Sequence, residues 1–162
     1  MKLTTKDIVR AISLCLAVIL TIVAFALFAA PFLQGKLIGT TFSGFDLAFN
    51  FDSGKNAGLF IAFLGGLLLM VFGLLESVVF FLLKAKVIKV KVQKPSKAFI
   101  IGDILVTLVL YVVCGILGFT TVAAFGAGDA YNLGGGAIAS GLLFIFAGLI
   151  YCCGKAYYKL AK

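Results

Sequence analysis

The stretch GLLESVVFF, Gly73–Phe81, sets one carboxylate, Glu76, inside a long apolar run. A charged side chain near a bilayer centre costs on the order of 3 kcal/mol, so such residues are rare, paired or functional. Whether this run lies in a membrane decides the fold, and composition answers that question first. The chain is 63% hydrophobic and 12% charged, with a mean hydropathy of +1.21. A soluble domain is roughly 45–50% apolar and about 25% charged. A chain this apolar has too little polar surface to meet water on every side. The reading is an all-α integral membrane protein.

Four apolar runs flank or contain the quoted stretch: Ile8–Leu33, Ala57–Leu83, Ala98–Phe125 and Gly135–Cys153. At about 1.5 Å per residue, roughly 20 residues cross the hydrocarbon core, so each run is long enough to span it. The first is too long for a cleavable signal peptide, and no small-residue cleavage site precedes a soluble region. The expectation is one domain over residues 1–162, built as an antiparallel four-helix transmembrane bundle. Its outer loops are 34–56 and 126–134, and its inner loop is 84–97.

Charge sets the orientation. The net charge is +8. Lys2, Lys6 and Arg10 start the first span, and Lys84, Lys86, Lys89, Lys91, Lys94 and Lys97 fall between the second and third. Lys155, Lys159 and Lys162 follow the fourth. Only Lys36 and Lys55 fall on the opposite side. The positive-inside rule therefore puts both termini and the middle loop in the cytoplasm. This distribution argues for a membrane surface as the basic residues' partner and against nucleic acid. Within KVIKVKVQK, Lys86–Lys94, lysine alternates with valine and isoleucine. Each lysine near an anionic leaflet contributes about 1 kcal/mol, so Lys86, Lys89, Lys91 and Lys94 are candidates to meet acidic headgroups. The bland alternative is a topology signal and nothing more.

Catalytic chemistry finds little to work with. The sequence has no histidine, and its cysteines, Cys15, Cys114, Cys152 and Cys153, have neither metal-ligand nor CxxC spacing. No nucleophile–base pair or phosphate-binding loop is present, and neither a metal nor a cofactor is expected. The expectation is a protein that is not an enzyme. The adjacent Cys152 and Cys153, beside Lys155 at a membrane boundary, suit S-palmitoylation. They suit the role of small apolar fillers equally well.

Glu76 continues a stripe of small residues. Steps of three and four lead back through Gly73, Leu69, Gly66 and Ala62. Small residues at this spacing let helix backbones approach closely, so Glu76 should face other helices rather than lipid. Span three repeats the pattern with Asp103, Thr107, Tyr111, Cys114 and Gly118, and span four with Ala137, Gly141 and Gly148. Span one carries Arg10, Ser13, Ala17, Thr21 and Ala24 on one face. Glu76 precedes Lys84 by eight residues and Asp103 follows Lys97 by six, so both lie about 9–12 Å inside the cytoplasmic boundary. The expectation is a cluster in which the forked guanidinium of Arg10 engages both carboxylates, with Asp7 competing for it. Two readings follow. The cluster is a buried polar knot that fixes helix register, or its surplus carboxylate stays protonatable and couples to a proton or cation.

The first outer loop holds FDLAFNF, Phe45–Phe51, whose period-two pattern predicts a half-buried strand, followed by the turn chemistry of DSGKN. A short β-hairpin on the outer surface is expected, with a ligand-binding loop as the alternative.

Several segments together resemble the MARVEL-domain tetraspans, nearest the synaptogyrin and synaptophysin type. They are the Arg within IVRAIS (Ile8–Ser13), the Glu within LLESVVFF (Leu74–Phe81), SKAFIIGDILVT (Ser96–Thr107) and the loop AFNFDSGKNAG (Ala48–Gly58). The resemblance covers Thr5–Phe125, with the fourth span alike only in type. It implies that Arg10, Glu76 and Asp103 are the family's intramembrane charges. The implied role is non-enzymatic: organising vesicle or plasma-membrane domains, sterol-rich lipid and partner proteins. In a bacterium the corresponding site is the inner membrane. Apart from the resemblance, the small-residue stripes exceed what one bundle needs, so self-association is a further expectation. The chain departs from that branch in three respects. Ala48 and Gly58 stand near the places of its luminal cysteines, its tail is only KAYYKLAK, and it has no tryptophan.

Overall fold

The computed structural model describes residues 4–37, 39–49, 57–87, 95–120 and 131–160. It contains four helices long and apolar enough to cross a membrane. The first, α1 (Thr5–Ala26), begins with a capping box: Thr4 Oγ1 accepts from the Asp7 amide at 3.3 Å, and the Asp7 carboxylate accepts from the Thr4 amide at 3.0 Å. After a 3₁₀ turn at Leu27–Ala29 the chain extends at Ala30, the residue before Pro31. The expected span to Leu33 is therefore shortened, because Pro31 has no amide proton to continue the helix and biases its predecessor to extended backbone.

Pro31–Gly35 (β1), Thr41–Ser43 (β2) and Tyr131–Leu133 (β3) form an antiparallel sheet in the order β2-β1-β3. Leu33 pairs with Phe42 on one side and with Leu133 on the other. A hairpin thus exists, but not where the alternation of FDLAFNF put it. Gly44–Phe49 is a short helix, α2. Ser43 and Asp46 cap it reciprocally: the Asp46 amide donates to Ser43 Oγ at 3.1 Å, and the Ser43 amide donates to the Asp46 carboxylate at 3.0 Å. That cap outweighs a weak period-two signal, and Leu47 and Ala48 are buried. Residues 50–56, with the expected turn, lie outside the described residues.

The remaining long helices are α3 (Ala57–Lys84), α4 (Lys97–Phe119) and α5 (Gly135–Leu160). Ser96 caps α4 by accepting from the Phe99 amide at 3.2 Å. The last helix runs seven residues beyond the expected end at Cys153. It packs along both α1 and α4, and α3 closes against α1 and α4 on the other side. Half of the most apolar stretch of α5 is buried, against 17% of that of α4, so α5 is the central element.

Glycines explain the close approach. A Cβ on Gly141 would sit 2.8 Å from the Gly115 carbonyl oxygen, and one on Gly148 would sit 2.5 Å from Tyr111 Cβ. Gly118 faces the Ala137 carbonyl, Gly66 faces the Phe144 ring, and Gly73 faces Val18. Ala62 is fully buried. Of the stripe residues named from sequence, Thr107 differs: half-buried, it donates to the Asp103 carbonyl at 2.8 Å and lines a cavity.

Candidate functional site

The described charges of the four long helices gather at one end, where the starts of α1 and α4 meet the ends of α3 and α5. Arg10 is 2% exposed. Its Nη2 donates to Glu76 Oε1 at 2.5 Å, and its Nη1 donates to the Tyr151 carbonyl at 3.1 Å. The Tyr151 ring lies under the guanidinium, 4.6 Å from ring centre to Cζ, in cation–π geometry. The Tyr151 hydroxyl donates to the second Glu76 oxygen. Lys155 donates to that hydroxyl at 3.0 Å, pairs with Asp103 at 2.7 Å and lies 3.8 Å from Glu76. Nearer the helix ends, Lys84 pairs with Asp7.

This arrangement corrects part of the expectation. Arg10 does meet Glu76, but it does not bridge to Asp103, whose cation is Lys155. Asp7 does not compete for Arg10 either, because Lys84 holds it. The cluster therefore contains two cations and two anions rather than a surplus carboxylate. Sequence reasoning missed Lys155 because it ended the fourth span at Cys153 and assigned Lys155 to the tail, and it missed Tyr151 because the small-residue stripe was followed only as far as Gly148. A signal was present: the small-residue stripe Ala137, Gly141, Gly148 continues in steps of three and four to Tyr151 and Lys155.

The ion pairs are asymmetric. The cations lie deep, with Lys155 13% exposed, whereas the Glu76 and Asp103 side chains keep 36% and 42% exposure. Both carboxylates border a cavity of about 430 Å³ whose walls include Leu69, Phe72, Leu75, Val79, Leu110 and Thr107. Deeper in, Tyr111 and Thr21 hydroxyls lie 3.1 Å apart, and Ser140 donates to the Ala24 carbonyl at 2.8 Å. These bonds join α1 to α4 and α1 to α5. Such interhelical polar contacts take the place of the hydrophobic drive that is lost between helices in lipid.

The cysteine pair is split by the structure. Cys152 is buried, its sulfur 3.5 Å from the Ile104 carbonyl, while Cys153 is exposed. An acyl chain can therefore reach Cys153 but not Cys152 without displacing α4. Of the lysines assigned to headgroups, Lys86 is exposed just past the end of α3, with φ of 58°. Lys89, Lys91 and Lys94 lie outside the described residues. Among the described residues no three His, Cys, Asp or Glu side chains gather as a metal site.

Comparison with family models, curated proteins and solved structures returns no match. Four apolar helices compatible with a multi-pass membrane protein stand, on the physical evidence alone, as the frame for any function.

Proposed function

We propose that the protein is a non-enzymatic tetraspan of the MARVEL-like kind, an antiparallel bundle with both termini in the cytoplasm. It organises membrane domains or vesicle trafficking through lipid and helix contacts. The observation that carries this reading is the pairing of Arg10 with Glu76, Lys155 with Asp103 and Lys84 with Asp7. Each pair joins two different helices, so the charges serve as cross-links that fix register. Paired and hydrogen-bonded charges are the tolerable kind inside a membrane. Single-copy contacts with lipid follow from the Leu, Ile, Val and Phe side chains that remain exposed along α1, α3 and α4.

A second reading, a small proton- or cation-coupled transporter or channel subunit, draws on one observation. Glu76 and Asp103 keep their exposure toward the cavity between α3 and α4. Proton flux into liposomes, read with an entrapped pH dye, separates the two. The scaffold reading predicts flux equal to that of empty liposomes, unchanged by Glu76→Gln or Asp103→Asn. Flux above that background, abolished by either substitution, contradicts it in favour of the transporter.

A further inference from the structure

We infer that a second cavity, at the extreme charged end, is a binding site for the phosphate headgroup of an anionic glycerophospholipid. The inference rests on the membrane-spanning reading and names the lipid contact it leaves open. The cavity measures about 480 Å³ and lies between the first turns of α1 and α4 and the last turns of α3 and α5. Among the described residues, Lys6, Lys84, Lys97 and Lys159 line it, against Asp7 as the one acidic side chain. Four lysines against one aspartate leave a surplus of three positive charges.

Asp7 is already included in that sum: it is committed to Lys84 and to the Thr4 cap, so it does not offset Lys97 or Lys159. Lys84 and Lys159 both lie against the Tyr158 ring, at 5.6 and 5.5 Å from its centre, and this holds their ammonium groups at the cavity wall. Pro95 and Lys97 bring the start of α4 to the same wall, and the positive end of a helix dipole favours an anion there. These features converge on one phosphate-sized anion rather than on a diffuse basic surface.

Two observations select a lipid over a soluble phosphate. Ile100 supplies an apolar wall, and the exposed Ile101 beside it on α4 offers a surface to an acyl chain. The cavity also lies eight residues, or about 12 Å, beyond the level of Glu76, where an intramembrane carboxylate would place the headgroup layer. Of the lysines at 86–94, Lys86 is the one among the described residues, and it does not line the cavity.

The test uses the full chain purified in neutral detergent, with melting followed as phosphatidylglycerol is added. A saturable rise in melting temperature is expected, and phosphatidylcholine should not reproduce it. Lys97→Gln with Lys159→Gln should weaken the apparent affinity roughly 30-fold, taking about 1 kcal/mol for each lysine. Lys89→Gln with Lys91→Gln removes the same charge from the loop and should leave the affinity within about 3-fold of wild type. Equal losses in the two double variants would overturn the site in favour of diffuse attraction. A rise produced equally by inorganic phosphate would overturn the lipid assignment. Flotation with phosphatidylcholine vesicles tests the underlying reading separately. A protein that fails to float overturns both, whereas one that floats without discriminating between the double variants overturns the site alone.

Discussion

At one end of the four long helices Arg10, Glu76, Lys155, Asp103, Lys84 and Asp7 do the joining. At the other end the work falls to the rings of Phe25, Phe28, Phe32, Phe45 and Phe63, under a three-stranded sheet. The ring centres of Phe25 and Phe63 are 5.0 Å apart, as are those of Phe28 and Phe32. The two solutions differ in specificity. Ring stacking tolerates graded change, because each contact adds a little and none is indispensable. An ion pair fails in one step, because removing one partner leaves a buried charge with nothing to meet it. The charged end therefore sets register, and the aromatic end supplies bulk.

The difference can be broken most sharply at Arg10. Arg10→Ala should lower the unfolding free energy by about 3 kcal/mol, read by melting in detergent. It removes the buried guanidinium that ties α1 to Glu76 of α3 and to the Tyr151 carbonyl of α5, leaving Glu76 with the Tyr151 hydroxyl and the more distant Lys155. At the aromatic end Phe28→Ala should cost about 3 kcal/mol, and Phe28→Leu clearly less, since the shape of the ring is only partly needed. If Phe28→Leu cost as much as Phe28→Ala, the aromatic end would not respond in graded steps and the contrast would fail.

Between the two ends lies the glycine seam of α4 and α5. Gly141→Val should cost about 1–3 kcal/mol, because its new Cβ meets the Gly115 carbonyl and a backbone atom cannot turn aside. Gly102→Ala, on the lipid side with nothing within 4 Å, should be neutral or stabilising by up to about 1 kcal/mol. A matching loss at Gly102 would mean that α4 has a partner on that face.

The smallest effect belongs to α2, which rests on a local cap. Ser43→Ala should cost about 1 kcal/mol. The Ser43 hydroxyl and amide hold the Asp46 carboxyl below its ordinary value. A lowered folded-state value means that the cap contributes fully above the usual carboxylate range and is lost as pH falls through the lowered one. Amide exchange in α2 should therefore speed up in acid relative to the long helices, and Asp46→Asn should abolish that dependence.

These regions also divide in how far they could be read in advance. The long helices declare themselves in hydropathy over 20 or more residues, and the Arg10–Glu76 contact follows from matched depth and facing stripes. The aromatic end is less legible in the sequence. Seven alternating residues at Phe45–Phe51 suggested a strand, yet the Ser43 and Asp46 side chains, three apart, form the cap that makes α2. The third strand comes from the far side of the chain, and no local pattern announces such a pairing. Lys155 was missed for another reason: a long side chain lets a charged residue extend a buried helix past the apparent apolar boundary.

The most direct test of the central claim is a double-mutant cycle on Arg10→Ala and Glu76→Gln, followed by melting in detergent. If the pair is a structural cross-link, each single substitution is costly and the double variant recovers much of the loss, giving a coupling well beyond the ~0.5 kcal/mol expected of independent sites. If the two losses simply add, or if Glu76→Gln leaves melting unchanged, Glu76 is not held by Arg10 and the register account fails.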